Sequence, residues 1–275
     1  MRLSIITINY NNKAGLERTI HSVKEQSFHD YEWMIIDGGS DDGSRDLIER
    51  NMHLFGYWCS EKDKGVYNAQ NKGILKAKGE YLCFMNSGDT FESKETLQKM
   101  FQNVVDEDVI YGDWTLVYSD RIQHVSSPKQ WSLGFICRYN VCCQAMLIKR
   151  SCFETGLFDE SFTLFADWKK WIDLTLFGKK FKYVPINVCL YDGYGVSSKS
   201  SPQKERERTR LIGDYNTELS TALMAVCRYS AELEEYTQQP LVVDTKRFVT
   251  ANPFYCKLIH ANLIIIKILK RLIRL

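Results

Sequence analysis

The chain has 275 residues, 44% hydrophobic and 25% charged, which suits one large α/β domain or one domain with an appendage. Its 36 basic and 34 acidic residues leave a net charge of +2, so the composition carries no electrostatic footprint for nucleic acid. Nine cysteines without a C-x-x-C pair and five scattered histidines argue against a zinc site and for reduced thiols in a cytoplasmic protein.

Leu3–Asn9 (LSIITIN) reads as a buried first strand, rich in β-branched residues. It passes straight into Asn9, Asn11 and Asn12, so it is too short for a signal peptide, and no apolar run is long enough to span a bilayer. A helix follows with Leu16, Ile20 and Val23 on one face. Tyr31–Asp37 is a second strand ending in a carboxylate, followed by a Gly/Asp-rich loop from Gly38 to Ser44 and a helix that turns Leu47 and Ile48 inward. Phe55–Ser60 reads as a third strand, Glu61–Gly65 as a polar loop and Val66–Ala77 as a helix. Tyr81–Asp89 (YLCFMNSGD) then repeats the pattern, an apolar run that turns abruptly polar at Asn86, Ser87, Gly88 and Asp89.

Strand, loop and helix in alternation mean βαβ units and a mostly parallel sheet. Right-handed crossovers set Asn9, Asp37, Glu61, Asp63 and Asp89 along one carboxyl edge, where open α/β sheets bind ligands. The loops there are not familiar phosphate cradles. G-x-x-x-x-G-K-[ST] is absent, and the Gly38–Gly43 loop carries Asp41 and Asp42 instead of the G-x-G-x-x-G spacing. An acidic crevice repels a diphosphate unless a divalent cation sits between them, which points to a nucleotide bound through Mg²⁺ or Mn²⁺.

Beyond Asp89, Leu97, Met100, Phe101 and Val104 mark an amphipathic helix, and Val109–Tyr118 with Arg121–Val125 a hairpin. Asp113 within it serves either a donor sugar or a turn. Pro128–Cys142 is aromatic and irregular, an expected acceptor-side wall. Gln144–Lys149 reads as a short strand and Ser151–Glu154 as a helical turn closed by Gly156. Asp167 stands at the start of a helix bearing Trp168, Trp171, Ile172 and Leu174, where an N-cap is the ordinary role. Lys182–Val184 and Val188–Tyr191 read as two strands, and Tyr191–Ser198 as a Gly-rich loop. Thr209–Thr237 has helical spacing, and Phe254–Leu275 is an apolar tail with five basic residues and no acid, suited to lying on an anionic membrane face.

Taken in order, SIITINYNN, IIDGGSDDGS, SEKDKGVYNAQNKGI, GEYLCFMNSGD and FADWKKWIDL resemble a family 2 glycosyltransferase of the GT-A fold, over about Ser4 to Ser198. The resemblance implies an α/β catalytic domain over residues 1–200 and a helical extension over 201–275. It implies donor-nucleotide contacts at Thr7, Asn9, Asp37, Glu61, Asp63, Asn71 and Asn86, a metal ligand at Asp89 and a catalytic base at Asp167. It further implies an inverting transfer from a nucleoside diphosphate sugar, UDP favoured, to a saccharide or lipid-linked saccharide at the cytoplasmic face of the membrane. Two motifs depart from the family pattern. Asn86 and Gly88 replace acids of the D-x-D-D metal motif, and Gly38 replaces a second Asp after strand two. The thinned motif leaves open a protein that binds a nucleotide sugar without transferring it. A nucleotidyltransferase is the third reading, disfavoured because no N-terminal Gly-rich, Arg/Lys-bearing phosphate loop is present.

Overall fold

The computed structural model describes residues 1–102, 104–193, 202–215, 219–226 and 228–229. One compact unit spans Met1–Leu223 and carries everything below. Its first half runs β1 (Leu3–Asn9), α1 (Lys13–Lys24), β2 (Tyr31–Asp37), α2 (Ser44–Arg50), β3 (Tyr57–Ser60), α3 (Val66–Lys76) and β4 (Tyr81–Phe84). The second half runs β5 (Thr90–Phe91), α4 (Thr96–Met100), β6 (Val109–Val117), β7 (Ile122–Val125), α5 (Leu133–Ile136), β8 (Met146–Lys149), α6 (Ala166–Leu176), β9 (Phe181–Asp192) and α7 (Pro202–Gly213).

The strands form one sheet in the order β3-β2-β1-β4-β8-β6-β9-β5, with β7 paired to β6. β2 and β4 flank β1 in parallel, and every residue of β1 is buried, as its unbroken apolar run requires. Antiparallel pairs enter beyond β4, at β4–β8, β8–β6 and β9–β5. Register fixes the upper edge. Asn9 stands opposite Asp37, and Asp37 opposite Ser60. Past the end of β4 the pairing continues through single bonds, Met85 N–H to Ile6 O and Ser87 N–H to Ile8 O, both at 3.0 Å. The segment Asn86–Asp89 is thereby held beside the end of β1.

The helices lock this edge from both faces. Asn12 caps α1 by accepting the Gly15 N–H, and Leu16, Ile20 and Val23 bury the face the periodicity predicts. α3 approaches β1 so closely that a Cβ on Gly73 would stand 2.5 Å from Ile6 Cγ2. Even alanine there would force a shift of about 1–3 kcal/mol. On the same face Phe84 packs edge-on against Phe153 and Phe158, and Phe158 against Trp171 of α6.

Four elements differ from the sequence reading in ways that matter. β3 begins at Tyr57, because a 3₁₀ turn over Met52–Leu54 and the Gly56 N–H to Trp33 O bond take up the preceding residues. α4 stops at Met100 instead of reaching Val104. Cys143–Ala145 is a 3₁₀ turn ahead of β8, so Gln144 is not a strand residue. The two strands expected around residues 182–191 are one, β9. Pro185 cannot donate to a ladder, and the register beside β6 jumps from Tyr111/Tyr183 to Asp113/Asn187, a bulge that accommodates it. Gly112 lets the bulge cross over, since a Cβ there would lie 2.7 Å from Ile186 O.

Asp113 serves this bulge. It accepts the Ser127 N–H at 2.7 Å and the Tyr183 hydroxyl at 2.9 Å, a bracing role and neither of the two expected. α7 is tied to the same unit, with Glu207 accepting the Thr163 and Leu164 N–H groups. The Tyr191–Ser198 loop beyond Gly193, residues 216–218, 227 and 230–237 of the helical stretch, and the tail Phe254–Leu275 lie outside the described residues.

Candidate active site

A cleft of about 560 Å³ opens at the carboxyl edge, between the ends of β1 and β4, the first turns of α3 and α6, and the end of β9. Of the residues singled out from sequence, Asn9, Asp63, Asn86, Asp89 and Asp167 line it together. Four do not. Thr7 is fully buried and accepts the Trp33 indole N–H at 3.0 Å. Glu61 is exposed and pairs with Lys72 at 2.7 Å. Asn71 clamps the far loop to α3, bonding both the carbonyl and the N–H of Phe158, and Glu160 as well.

Asp37 lies beneath the lining. Its oxygens accept the Asn9 amide at 2.7 Å, the Ser40 hydroxyl and the Ser60 hydroxyl at 2.6 Å each, and the Ser40 N–H at 3.0 Å. Those four bonds fill the acceptor capacity of a carboxylate. Burial works against its charge, yet the bonds from Ser40, Ser60 and Asn9 outweigh it and hold the carboxyl below the usual range. Asp37 thus orients Asn9 and Ser40, and Asn9 faces the cleft.

Two acids arrive where the strand-end motifs lack them. A Cβ on Gly38 would stand 2.6 Å from Asp63 Oδ2, and one on Gly88 would stand 3.2 Å from Asp192 Oδ2. Gly88 also has φ +105°, a backbone that side chains resist. Each glycine therefore leaves room for a carboxylate delivered by a facing segment. Asp192 ends β9, a strand delivering a carboxylate like the others, and that signal could have marked it.

Asp89 is only 4% exposed. Its Oδ2 accepts the Gln144 amide at 2.8 Å and its Oδ1 the Asp192 N–H at 2.9 Å. Burial pushes its carboxyl up to about 7, with the Asp192 charge adding to the rise against those bonds. Arg18 stands 3.5 Å from Asp192. Among the described residues no group of three or more His, Cys, Asp or Glu side chains is placed to hold a metal ion. The donors present are hard oxygens, two carboxylates and the buried Asn86 Oδ1, which has no hydrogen-bond partner. They suit Mg²⁺ or Mn²⁺ shared with a diphosphate, which supplies the remaining oxygens.

Asp167 sits inside the first turn of α6, not at its cap, which is Phe165. The N-terminal position favours its charge through the helix dipole. Its Oδ1 accepts the Tyr67 hydroxyl at 3.0 Å and the Trp168 N–H at 2.8 Å, and its Oδ2 the Asn140 amide at 3.3 Å. Burial raises its proton affinity, and these bonds oppose the rise. Tyr67 and Asn140 carried no signal alone, since their role depends on α3 and the irregular segment meeting α6. Cys143 lines the same end, its thiol pushed up by burial and by Asp167.

The family model described as "Glycosyl transferase family 2" matches residues 4–162. An uncharacterized glycosyltransferase of Mycobacterium tuberculosis (strain ATCC 25618 / H37Rv) is 30% identical over 228 residues, covering 77% of this chain and 83% of the relative. TuaG of Bacillus subtilis (strain 168), a glycosyltransferase assigned to teichuronic acid biosynthesis, is 26% identical over 215 residues, covering 74% of this chain and 82% of the relative. Among solved structures, residues 1–349 of S. aureus TarS in complex with UDP-GlcNAc superpose with a TM-score of 0.64 at 16% identity, over 82% of this chain and 70% of that one. That likeness shows a common fold, the GT-A fold that the resemblance implied.

Proposed function

The chain belongs to glycosyl transferase family 2, and from that premise we propose that it moves a sugar from a nucleoside diphosphate sugar, with UDP as the first candidate, to a saccharide or lipid-linked saccharide acceptor with inversion at the anomeric carbon. The observation that carries this is the pair Asp89 and Asp167, two carboxylates on one cleft wall system held in different surroundings. Such separation of environments assigns different roles to like groups. Assembly of a surface polysaccharide is the supporting context, from the name of the Bacillus relative.

Asp167 is the general base. Its carboxylate takes the proton of the acceptor hydroxyl while that oxygen bonds to the anomeric carbon and the bond to the β-phosphate oxygen breaks. Tyr67, Asn140 and the Trp168 N–H favour the ionised form of the carboxylate against burial and aim it. Asn9, Asp63 and Asn86 bind the nucleotide at the other end of the cleft. Asp89 and Asp192, with Asn86, would hold Mg²⁺ or Mn²⁺, which would supply positive charge against the departing diphosphate, and Gln144 orients Asp89. The thinned motif motivates the alternative of binding without transfer, and Asp192 beside Gly88 supports the transferase reading by adding a second carboxylate there.

Among the described residues no helix is long and apolar enough to cross a membrane. Peripheral contact through the basic tail 254–275 at the cytoplasmic face remains part of the proposal, motivated by its charge. The test is a thermal-shift panel on the full chain in detergent, with UDP, GDP, dTDP and CMP, each with and without Mn²⁺. Stabilisation by one nucleoside diphosphate that requires metal supports the reading. Stabilisation by none of them overturns it.

A further inference from the structure

A buried amide without a partner is costly, and one stands in the cleft. Gln70 is 2% exposed, yet it lines the cleft, and its Oε1 makes no hydrogen bond. Leaving such an acceptor unpaired costs about 1–3 kcal/mol, so a ligand group is the natural partner. Two more residues with an unpaired amide oxygen, Asn9 and Asn86, line the same cleft. Those two sit on the strand-end segments assigned to the nucleotide and cation, whereas Gln70 follows Tyr67 by three residues on α3, so the two side chains share one helix face. Tyr67 is the residue that bonds Asp167. The carboxamide of Gln70 is therefore one helical turn from the residue that holds the base.

We infer that Gln70 is a specificity residue whose side-chain amide accepts a hydrogen bond from a hydroxyl of the transferred sugar, an inference that rests on the proposed transferase function. The oxygen has no partner within the protein, and the sugar hydroxyl supplies one. A site built to bond a hydroxyl rejects donors lacking it, because the buried acceptor is then left unpaired again.

The test compares the wild type with Gln70→Met, which keeps length and removes the hydrogen-bonding group, and with Gln70→Leu as a second variant. Affinities are measured in Mn²⁺ by calorimetry for UDP against UDP-glucose, UDP-galactose and UDP-GlcNAc, and for GDP against GDP-mannose. Melting temperatures are recorded without ligand. The inference expects an unliganded melting temperature equal to or above wild type, bare diphosphate affinity within about twofold, and about five- to tenfold weaker binding of the preferred nucleotide sugar. Equal losses for the diphosphate and its sugar ester overturn it, since Gln70 would then read the nucleotide. Unchanged sugar affinity overturns it too, as does a lower melting temperature in both variants, which marks a structural amide. A wild type that binds no nucleotide sugar removes the proposed function itself, a failure distinct from these.

Discussion

Tyr67→Phe is the sharpest probe of how the cleft controls Asp167. The substitution removes one hydroxyl and leaves the ring against Phe158, where the centroids are 5.5 Å apart. It deletes the 3.0 Å bond to Asp167 Oδ1 and leaves those from Trp168 and Asn140. Hydrogen bonds to charged groups contribute about 1.5–3 kcal/mol. One factor of ten in an equilibrium is about 1.4 kcal/mol, so the ionised form of Asp167 loses roughly tenfold or more against the protonated form. The sign follows from the direction already present. Burial raises the proton affinity of Asp167, the Tyr67 bond lowers it, and removing that bond lets burial win further. A base must be ionised to act, so the acid limb of the kcat/KM profile moves to higher pH and activity recovers at alkaline pH. Cys143, the other titratable group against Asp167, keeps its thiol protonated through this range because burial raises it. The assay is donor turnover across pH with the wild type as reference. An acid limb that stays in place, with activity lowered equally at every pH, would refute the reasoning.

Two further substitutions separate scaffold from site. Asn71→Ala breaks the clamp to Phe158 and Glu160 and should lower stability by about 2–3 kcal/mol in denaturant unfolding, while nucleotide affinity in the folded protein changes little. Affinity lost in proportion to stability would return Asn71 to the donor site. Asp192→Ala should abolish most of the metal-dependent part of nucleotide stabilisation while sparing any metal-independent part. Full retention of the Mn²⁺ effect would mean that Asp89 alone holds the cation.

Much of the upper edge was legible because local pattern and register agree there. An apolar run ending in polar residues marks a strand end, and parallel pairing then carries Asn9, Asp63, Asn86 and Asp89 to one cleft. Thr7 shows the limit of that logic. It shares a face with Asn9, but two residues deeper in the strand it lies under the Trp33 indole. Asp37 is polar for the same edge, yet Ser40 and Ser60 close over it. Gly38 and Gly88 read as losses of charge because a one-dimensional pattern cannot see Asp63 or Asp192 approaching from other segments. Gln144 reads from the sequence as a strand residue, because the 3₁₀ turn that aims it at Asp89 leaves no periodic trace over three residues. The role of Asp167 came from resemblance, since a lone Asp at a helix start reads as a cap, and the Tyr67 and Asn140 contacts that distinguish it are long-range.

The central claim is that Asp167 accepts the acceptor proton and does not build the donor site. Asp167→Asn tests it directly, with nucleotide-sugar affinity and turnover measured on the same preparation. The account predicts affinity within about threefold of wild type and a turnover loss of about 10²-fold or more, the usual scale for a general base. Turnover near wild type, or a loss of donor affinity that accounts for the whole effect, would contradict it.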